Sequence, residues 1–252
     1  MITQDAIKTL TVRNQTSELN IIREYFQHLF LSQLYRLEGA ENILFKGGTA
    51  LRVIYGSPRF SEDLDFSIFN VEQYQQKKII EDLFTKVLAE IEKIGIKVEI
   101  GPKPGATTEG YYGDATFKLY DYQIVGVEIN VSSRNGRDMS GEVDSVANDF
   151  VPTYNLYHLP QIELIEEKVF DALLKRKKAR DFYDLYFIMR KGLLTVDQKG
   201  RLAGLINIIK SEAEKVDFKS ELSVLLPQGQ QAIIKDFKQN LINELERQLG
   251  KE

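Results

Sequence analysis

The spacing of apolar residues predicts strands in the first part of the chain and helices in the last part. Apolar positions recur at helical spacing from about Thr16 to Leu37 and again from Val71 to Ile94. Shorter stretches alternate polar and apolar residues in the period of a strand. The predicted strands are 42–46, 63–68, 97–100, 114–120 and 123–131, the last two joined by a tight turn near 121–122.

From about Gln161 the pattern becomes helical to the end of the chain. The predicted helices are 161–178, 179–191, 196–216 and 230–248. Strands followed by helices favour an α+β lobe and then a helical lobe. The boundary is expected between Ser132 and Pro160, and we place the two lobes at 1–150 and 151–252. A length of 252 residues fits one large domain or two packed lobes.

Composition narrows the kind of site. Hydrophobic residues make up 43% of the chain, which is enough for a core, and cysteine is absent. Disulfides, cysteine-rich zinc sites and thiol nucleophiles are therefore excluded. The two histidines, His28 and His158, are interpreted as ordinary helix and loop residues. Any metal is then expected to be a hard cation, Mg²⁺ or Mn²⁺, held by carboxylates.

Charge and hydropathy bear on location and partners. The N-terminus does not have the pattern of a signal peptide, and no stretch reaches the roughly 18 apolar residues of a membrane span, so we expect a cytoplasmic protein. The net charge of −4 means that a nucleic acid would need a local basic patch. Residues 168–191 contain eight basic and three acidic residues. This concentration supports a nucleic-acid acceptor, and the alternative is a solvated helix surface.

Two aspartates on one predicted strand are the main candidates for chemistry. Asp63 and Asp65 project from the same strand face, with Cα atoms roughly 6.6 Å apart. Both carboxylates can then bind one hard cation or bridge two, which would relieve their repulsion. The alternative is a solvated strand face.

A glycine turn precedes this pair. Gly47, Gly48 and Thr49 lie between a predicted strand and a predicted helix, where backbone N–H groups and a hydroxyl can receive terminal phosphates. A glycine pair alone is an ordinary turn former, and only its connection to the aspartates gives it weight. A phosphate seat beside carboxylate-bound metal is typical of phosphoryl or nucleotidyl transfer.

Two blocks of sequence resemble a known family. Gly47-Gly48-Thr49, then Arg59 and the run from Ser61 to Phe66, are similar to the first motif of AbiEii-type nucleotidyltransferase toxins, within the DNA polymerase β-like superfamily. The run 166–173, then Arg176 and 179–185, is similar to the second block of that family. Two separated blocks coincide by chance far less often than one.

This resemblance implies a fold and a set of residue roles. The implied fold is α+β, a polymerase β-like core with a mixed sheet flanked by helices, followed by a helical lobe that completes the active-site cleft. The implied nucleotide-binding residues are Gly47, Gly48, Thr49, Arg59, Ser61 and Lys168. The implied metal ligands are Asp63 and Asp65, with Glu128 as a candidate third carboxylate. The implied catalytic residues are Asp63, Asp65, Lys168, Asp181 and Asp184.

Several of these residues have alternatives. Glu128 is a candidate for metal binding, for a base, or for a solvent-facing residue. Lys168 could instead pair with Asp171 on its own helix. Asp181 and Asp184 could instead be acidic residues near a helix N-terminus.

The expected function is transfer of a nucleoside monophosphate from an NTP to an acceptor hydroxyl. The resemblance further implies the toxin of an AbiE-like toxin–antitoxin system in abortive infection and phage defence, with tRNA ends as target and a separate antitoxin protein as partner. One alternative keeps the fold and modifies a protein or small molecule. Another is a non-catalytic regulatory binding module.

Overall fold

A mixed eight-stranded sheet forms the centre of the first unit in the computed structural model, which describes residues 1–100, 105–107, 110–134 and 138–249. The strand order is β3-β5-β6-β2-β1-β8-β7, and β4 pairs with β5. The bounds are β1 (Ile43–Lys46), β2 (Leu64–Ile68), β3 (Lys97–Ile100), β4 (Gly105–Thr107), β5 (Gly110–Lys118), β6 (Val125–Ser133), β7 (Glu142–Val146) and β8 (Tyr154–His158).

β2 has one antiparallel and one parallel neighbour in the sheet. β2 pairs antiparallel with β1 and parallel with β6, and β1 pairs parallel with β8. β5 pairs antiparallel with β6. The strand that carries Asp65 is therefore internal, and its register is fixed on both sides.

Helix α2 (Glu18–Leu34) supplies much of the core against this sheet. Ser17 caps its N-terminus by accepting a hydrogen bond from the backbone N–H of Asn20. The ring of Phe26 stacks on Phe117 with centroids 4.4 Å apart. Such aromatic contacts add to the burial of apolar area. The other helices of this unit are α1 (Gln4–Asn14), α3 (Gly47–Val53) and α4 (Gln73–Lys93).

The second unit is helical. Its elements are α5 (Gln161–Glu166), a π-helical segment (Glu167–Leu173), α6 (Leu174–Arg176), α7 (Ala179–Lys191), α8 (Val196–Ala203), α9 (Ile206–Ala213), α10 (Phe218–Leu225), α11 (Ala232–Lys235) and α12 (Phe237–Leu249). Phe237 is fully buried and contacts the rings of Tyr183 and Phe218, with centroids 5.7 and 4.9 Å away. These rings form the centre of this unit's core.

The chain divides at a different point from the predicted 150/151 boundary. The first unit contains Met1–Gly56 and Phe60–Leu159, and the second contains Ser57–Arg59 and Pro160–Glu252. The division falls after Leu159 because β8 pairs with both β1 and β7 in the sheet of the first unit. The short segment Ser57–Arg59 groups with the second unit although it is distant in sequence.

Most predicted elements are present, and the α+β class is confirmed. Among the described helices and strands, five were not predicted, namely α1, β4, β7, β8 and α10. Only Val146 of β7 is buried, so this strand does not show the regular alternation of apolar and polar residues from which a strand is predicted. The predicted helix 196–216 is two helices, α8 and α9, and the predicted helix 161–178 contains the π-helical segment. Within the described ranges no helix is long and apolar enough to cross a membrane.

Candidate active site

The glycine turn after β1 lies against Asp65. Gly47 has φ +85°, a left-handed conformation that glycine adopts without strain. A Cβ atom at this position would stand 2.3 Å from Oδ2 of Asp65. The turn and the carboxylate are therefore in direct contact, and only a residue without a side chain permits this approach.

Thr49 connects the same turn to Asp63. The side chain of Thr49 is buried, and its hydroxyl donates a 2.5 Å hydrogen bond to the backbone carbonyl of Asp63. The hydroxyl thus holds the end of the loop before β2 next to α3. Direct contact of Thr49 with phosphate stays a prediction, while this positioning contact is what the structure shows.

Helix α2 holds the loop that leads into β2. The side-chain amide of Gln27 donates to the carbonyl of Ser61 at 3.0 Å, and Arg23 pairs with Glu62 at 3.1 Å. The predicted role of Ser61 in nucleotide binding is not tested by this backbone contact. These two contacts with α2 hold the loop, so that Asp63 lies directly before the start of β2.

Arg52 fixes α3 to α2. Its guanidinium donates to Glu24 with Nε–Oε1 and Nη2–Oε2 distances of 2.5 and 3.0 Å, a two-point carboxylate contact. The same group lies over the ring of Phe60, 3.7 Å from the centroid. The helix that begins at the glycine turn is thereby held on a rigid support.

A row of four side-chain positions crosses the sheet at Asp65. In register, Asp65 is opposite Lys46 on β1 and Asn130 on β6, and Asn130 is opposite Tyr112 on β5. Directly paired residues project to the same face of a sheet. The amide of Asn130 donates to Oδ1 of Asp65 at 3.4 Å, and Nζ of Lys46 donates to Ser132 at 3.3 Å. Side chains with an ammonium group, a carboxylate, an amide and a phenol therefore lie in one row across the sheet.

A second, acidic row lies next to the first. Glu128 on β6 pairs with Asp114 on β5, and Leu64 pairs with Ile129. Continued by one residue, this register brings Asp63 beside Glu128. Partial desolvation raises the pKa of Tyr112, and the charges of Glu128, Asp114 and Asp63 raise it further. These acids consequently share the electrostatic environment of one sheet face.

Carboxylates are the kind of ligand that a hard divalent cation prefers. Their arrangement at this site fits such a cation in part. Asp65 lies on β2 beside the glycine turn, and Asp63 lies directly before the strand, where its carbonyl accepts a hydrogen bond from Thr49. Among the described residues, however, no group of three or more His, Asp or Glu side chains is close enough together to hold a metal ion. Glu128 as a third metal ligand therefore stays a prediction.

A buried ion-pair cluster in the second unit contains three of the predicted residues. Arg59 donates twice to Oδ1 and once to Oδ2 of Asp184, at 2.9 to 3.0 Å. Nζ of Lys168 donates to Oδ2 of Asp184 at 2.8 Å. Lys168 thus pairs with Asp184, whereas the alternative partner Asp171 pairs with Lys175.

The burial of this cluster sets the charge of Asp184. Side-chain exposure is 2% for Arg59, 1% for Asp184 and 10% for Lys168. Desolvation alone raises the pKa of Asp184, but Arg59 and Lys168 outweigh it and hold the pKa below its ordinary value. The carboxylate is ionised, and the Arg59 guanidinium is committed to it rather than exposed for a nucleotide. Nucleotide binding by Arg59 stays a prediction.

Asp181 has a structural position. Its buried carboxylate accepts from Arg176 at 2.5 Å and from the backbone N–H of Lys178 at 3.3 Å. The second contact satisfies a donor at the N-terminus of α7. These bonds match the alternative of an acidic residue at a helix start, while catalysis by Asp181 is not tested.

The basic residues of 168–191 are largely neutralised by acids. Beyond Lys168, Lys175 and Arg176, three pair with glutamates that lie outside the segment: Lys177 with Glu212, Arg180 with Glu221 and Arg190 with Glu244. A count along the sequence could not include these partners. The segment gives less support to a nucleic-acid surface than its composition suggested.

Both histidines are buried in the first unit. Burial, together with the positive charge of Arg52, lowers the pKa of His28 to about 4. Nδ1 of His28 is 2.9 Å from the hydroxyl of Tyr154. His158 was interpreted as a loop residue, which is wrong: it belongs to β8, where Nε2 is 3.1 Å from Asp144.

Three residues of the site were missed in the sequence. Lys46 directly precedes the glycine turn, and Asn130 is two positions after Glu128 on the same strand. Their alternation with apolar residues was a usable signal. The position of Tyr112 next to Asn130 depends on the pairing of β5 with β6, which the sequence does not specify.

A family model matches a part of the chain that contains both motif blocks. The family model described as nucleotidyl transferase AbiEii toxin, type IV toxin–antitoxin system, matches residues 29–249. The chain belongs to the AbiEii family. The match includes the glycine turn, the aspartate pair and the buried cluster of the second unit, so this AbiEii chain carries a nucleotidyltransferase toxin domain across most of its length.

Solved structures share the fold of this AbiEii chain. A Helicobacter pylori protein assigned as a nucleotidyltransferase has a TM-score of 0.59 at 20% identity, and the alignment covers 92% of this chain and 98% of the other. JHP933 from Helicobacter pylori has a TM-score of 0.58 at 20% identity, with coverage of 92% and 96%. At this identity the likeness concerns the fold. No curated protein matches the chain.

Substitution of Gly47 tests the contact between the turn and Asp65. Gly47→Ala is expected to destabilise the protein by about 1–3 kcal/mol, because alanine is strained at this φ and its Cβ collides with the carboxylate. Urea unfolding measures the change. Gly39→Ala is the control, since Gly39 has φ +90° but nothing within 4 Å of an added Cβ. Equal destabilisation by the two variants would contradict the collision.

Proposed function

We propose that this chain transfers a nucleoside monophosphate from an NTP to the hydroxyl of an RNA acceptor, with pyrophosphate as the leaving group and a tRNA end as the first candidate acceptor. The observation that carries the proposal is the direct contact of Gly47 with the carboxylate of Asp65, together with the bond from Thr49 to Asp63. Both contacts connect an aspartate, a residue type that binds metal, with a glycine turn, which is a common binding site for phosphate. Membership of a nucleotidyltransferase family supports the same conclusion.

Asp63 and Asp65 would hold Mg²⁺ or Mn²⁺. When bound, such a cation neutralises triphosphate charge and lowers the pKa of the attacking hydroxyl. The backbone of Gly47 and Gly48 is proposed to receive the β- and γ-phosphates, since the first N–H groups of a helix lack intrahelical partners. Thr49 acts as a positioning residue through its bond to Asp63.

Further residues of the sheet face extend this assignment. Lys46 lies opposite Asp65, where its charge would offset that of a bound phosphate. Tyr112 and Asn130 continue the same row away from Lys46, and the phenol offers a surface for the base or sugar of the donor. Lys168 is proposed to offset transition-state charge, with Asp184 holding its ammonium in place.

The role of a toxin with a separately encoded antitoxin follows from the family, and a function in phage defence is its expected setting. Direct binding of an antitoxin protein to this chain is part of the proposal. It is supported by the family description rather than by any contact in the structure.

A transfer assay tests the proposal. Purified protein is incubated with each α-labelled NTP, Mg²⁺ and a pool of cellular RNA, and the labelled RNA ends are sequenced. Label on tRNA 3′ ends that disappears in EDTA is the expected result. Label on added protein or on an aminoglycoside alone would replace the RNA acceptor, and no label on any acceptor would refute the transfer activity.

A further inference from the structure

A cavity of about 530 Å³ opens in the second unit, away from the ion-pair cluster in sequence. It is lined by residues of α10, α11 and the start of α12, and three of them are lysines: Lys219, Lys235 and Lys238. The volume lies within the range of small-molecule sites, roughly 300–1,000 Å³. We call it the basic pocket. Its positive lining stands out on a chain with net charge −4.

Among the described residues, the acids near the basic pocket leave two of its lysines without an ion pair. Lys238 pairs with Glu214 at 2.6 Å. The carboxylate of Asp217 accepts from the backbone N–H groups of Lys219 and Ser220, at 2.9 and 3.4 Å, and so caps α10. Lys219 and Lys235 are exposed, and within the described residues neither has an ion pair. Two exposed lysines therefore line one pocket.

Other residues that line the basic pocket are apolar or form hydrogen bonds within the protein. Val216 and Ile234 are half-buried and give the basic pocket an apolar wall. The side-chain amide of Gln231 donates to the carbonyls of Ser223 and Leu226 at 2.8 and 3.1 Å, which holds the wall in shape. An apolar wall in the same pocket as two lysines suits a ligand with a flat apolar part and an anionic part.

We propose that the basic pocket binds a nucleoside phosphate, with the phosphate on Lys219 and Lys235 and the base against Val216 and Ile234. Lysine ammonium groups bind phosphate as point charges, and bases pack on apolar side chains. The ligand is either a free nucleotide or one unit of a single-stranded RNA. Only the RNA source rests on the proposed function, for which the basic pocket would be a second contact with the acceptor.

Binding measurements in EDTA, without NTP, test this site apart from transfer activity. The full-length protein is titrated with a fluorescent single-stranded RNA oligonucleotide and, separately, with AMP by calorimetry. The test variant is Lys219→Glu/Lys235→Glu. The control is Lys78→Glu/Lys86→Glu, which changes the net charge equally at exposed positions on α4. Thermal unfolding of both variants checks that each is folded, and Lys235→Gln provides a milder change.

We expect the test variant to bind at least about tenfold more weakly and the control to bind like the unmodified protein. For RNA, the slope of log K against log salt should fall by roughly 0.7 for each lost phosphate contact. Loss of RNA binding alone identifies a strand, and loss of AMP binding alone identifies a free nucleotide. Equal binding by test and control variants would overturn the proposal, as would the absence of both RNA and AMP binding by the unmodified protein.

Discussion

Asp65→Asn is expected to lower nucleotidyl transfer by roughly 10³-fold or more, which corresponds to about 4 kcal/mol of lost transition-state stabilisation. Asparagine keeps the size of the side chain, so the contact with Gly47 and the bond from Asn130 can remain. What is removed is the negative charge that would hold the cation. Single-turnover transfer with saturating NTP and Mg²⁺ measures the loss.

Stability provides the internal check on this variant. Asp63 and Asp65 repel each other in the absence of a cation, so Asp65→Asn should unfold at the same urea concentration as the unmodified protein or at a higher one. Asp82→Asn is the matched control, because Asp82 is an exposed residue on α4. Unchanged transfer and unchanged cellular toxicity in Asp65→Asn would favour a non-catalytic binding module over the enzyme.

Asp184→Asn is expected to destabilise the protein by about 3–5 kcal/mol. The substitution leaves the cations of Arg59 and Lys168 buried without their carboxylate, and breaking a buried pair from one side is costly. For a chain of this size the midpoint of thermal unfolding should fall by roughly 6–20 °C. Circular dichroism during heating measures the shift.

The control for this prediction lies in the same unit. Asp171→Asn removes a carboxylate that is 57% exposed and pairs with Lys175 on the helix surface. Surface pairs of this kind contribute about 0–1 kcal/mol. If the two variants lowered stability equally, the cluster around Asp184 would have no special role in the fold.

The pH dependence of the Asp184 effect has a defined sign. Its pKa in the folded protein is depressed, so its contribution to stability is complete above the unfolded-state pKa of about 3.9. The contribution is lost as the pH falls through the folded-state pKa. The difference in unfolding free energy between the unmodified protein and Asp184→Asn should therefore be constant near neutrality and shrink below about pH 4.

The candidate site shows which interpretations could be made from sequence. The contact of the glycine turn with Asp65 could be predicted because the turn ends the neighbouring strand. Asp63 was predicted on the same strand as Asp65, but β2 begins at Leu64, so Asp63 lies directly before it. The roles of Lys168 and Arg59 were harder to predict. Each depends on Asp184, which is distant from Arg59 in sequence and buried by the fold.

The basic segment 168–191 shows why other features of the structure could not be predicted from the sequence. Its excess of positive charge was correctly counted, but the glutamates that neutralise it come from α9, α10 and α12. Net charge along a sequence adds residues that are neighbours in the chain, whereas an electrostatic field adds charges that are neighbours in space. The unassigned lysines of the basic pocket were overlooked for the same reason.

The sequence by itself determined the α+β class, the strand that contains Asp65, and the turn that precedes it, because periodicity and spacing act over a few residues. The tertiary structure decided which residues stand beside them. Strand register placed Lys46, Asn130 and Tyr112 in line with Asp65, and burial turned Arg59, Lys168 and Asp184 into one ion-pair cluster. Register and burial are set by contacts between distant segments, and no local pattern contains them.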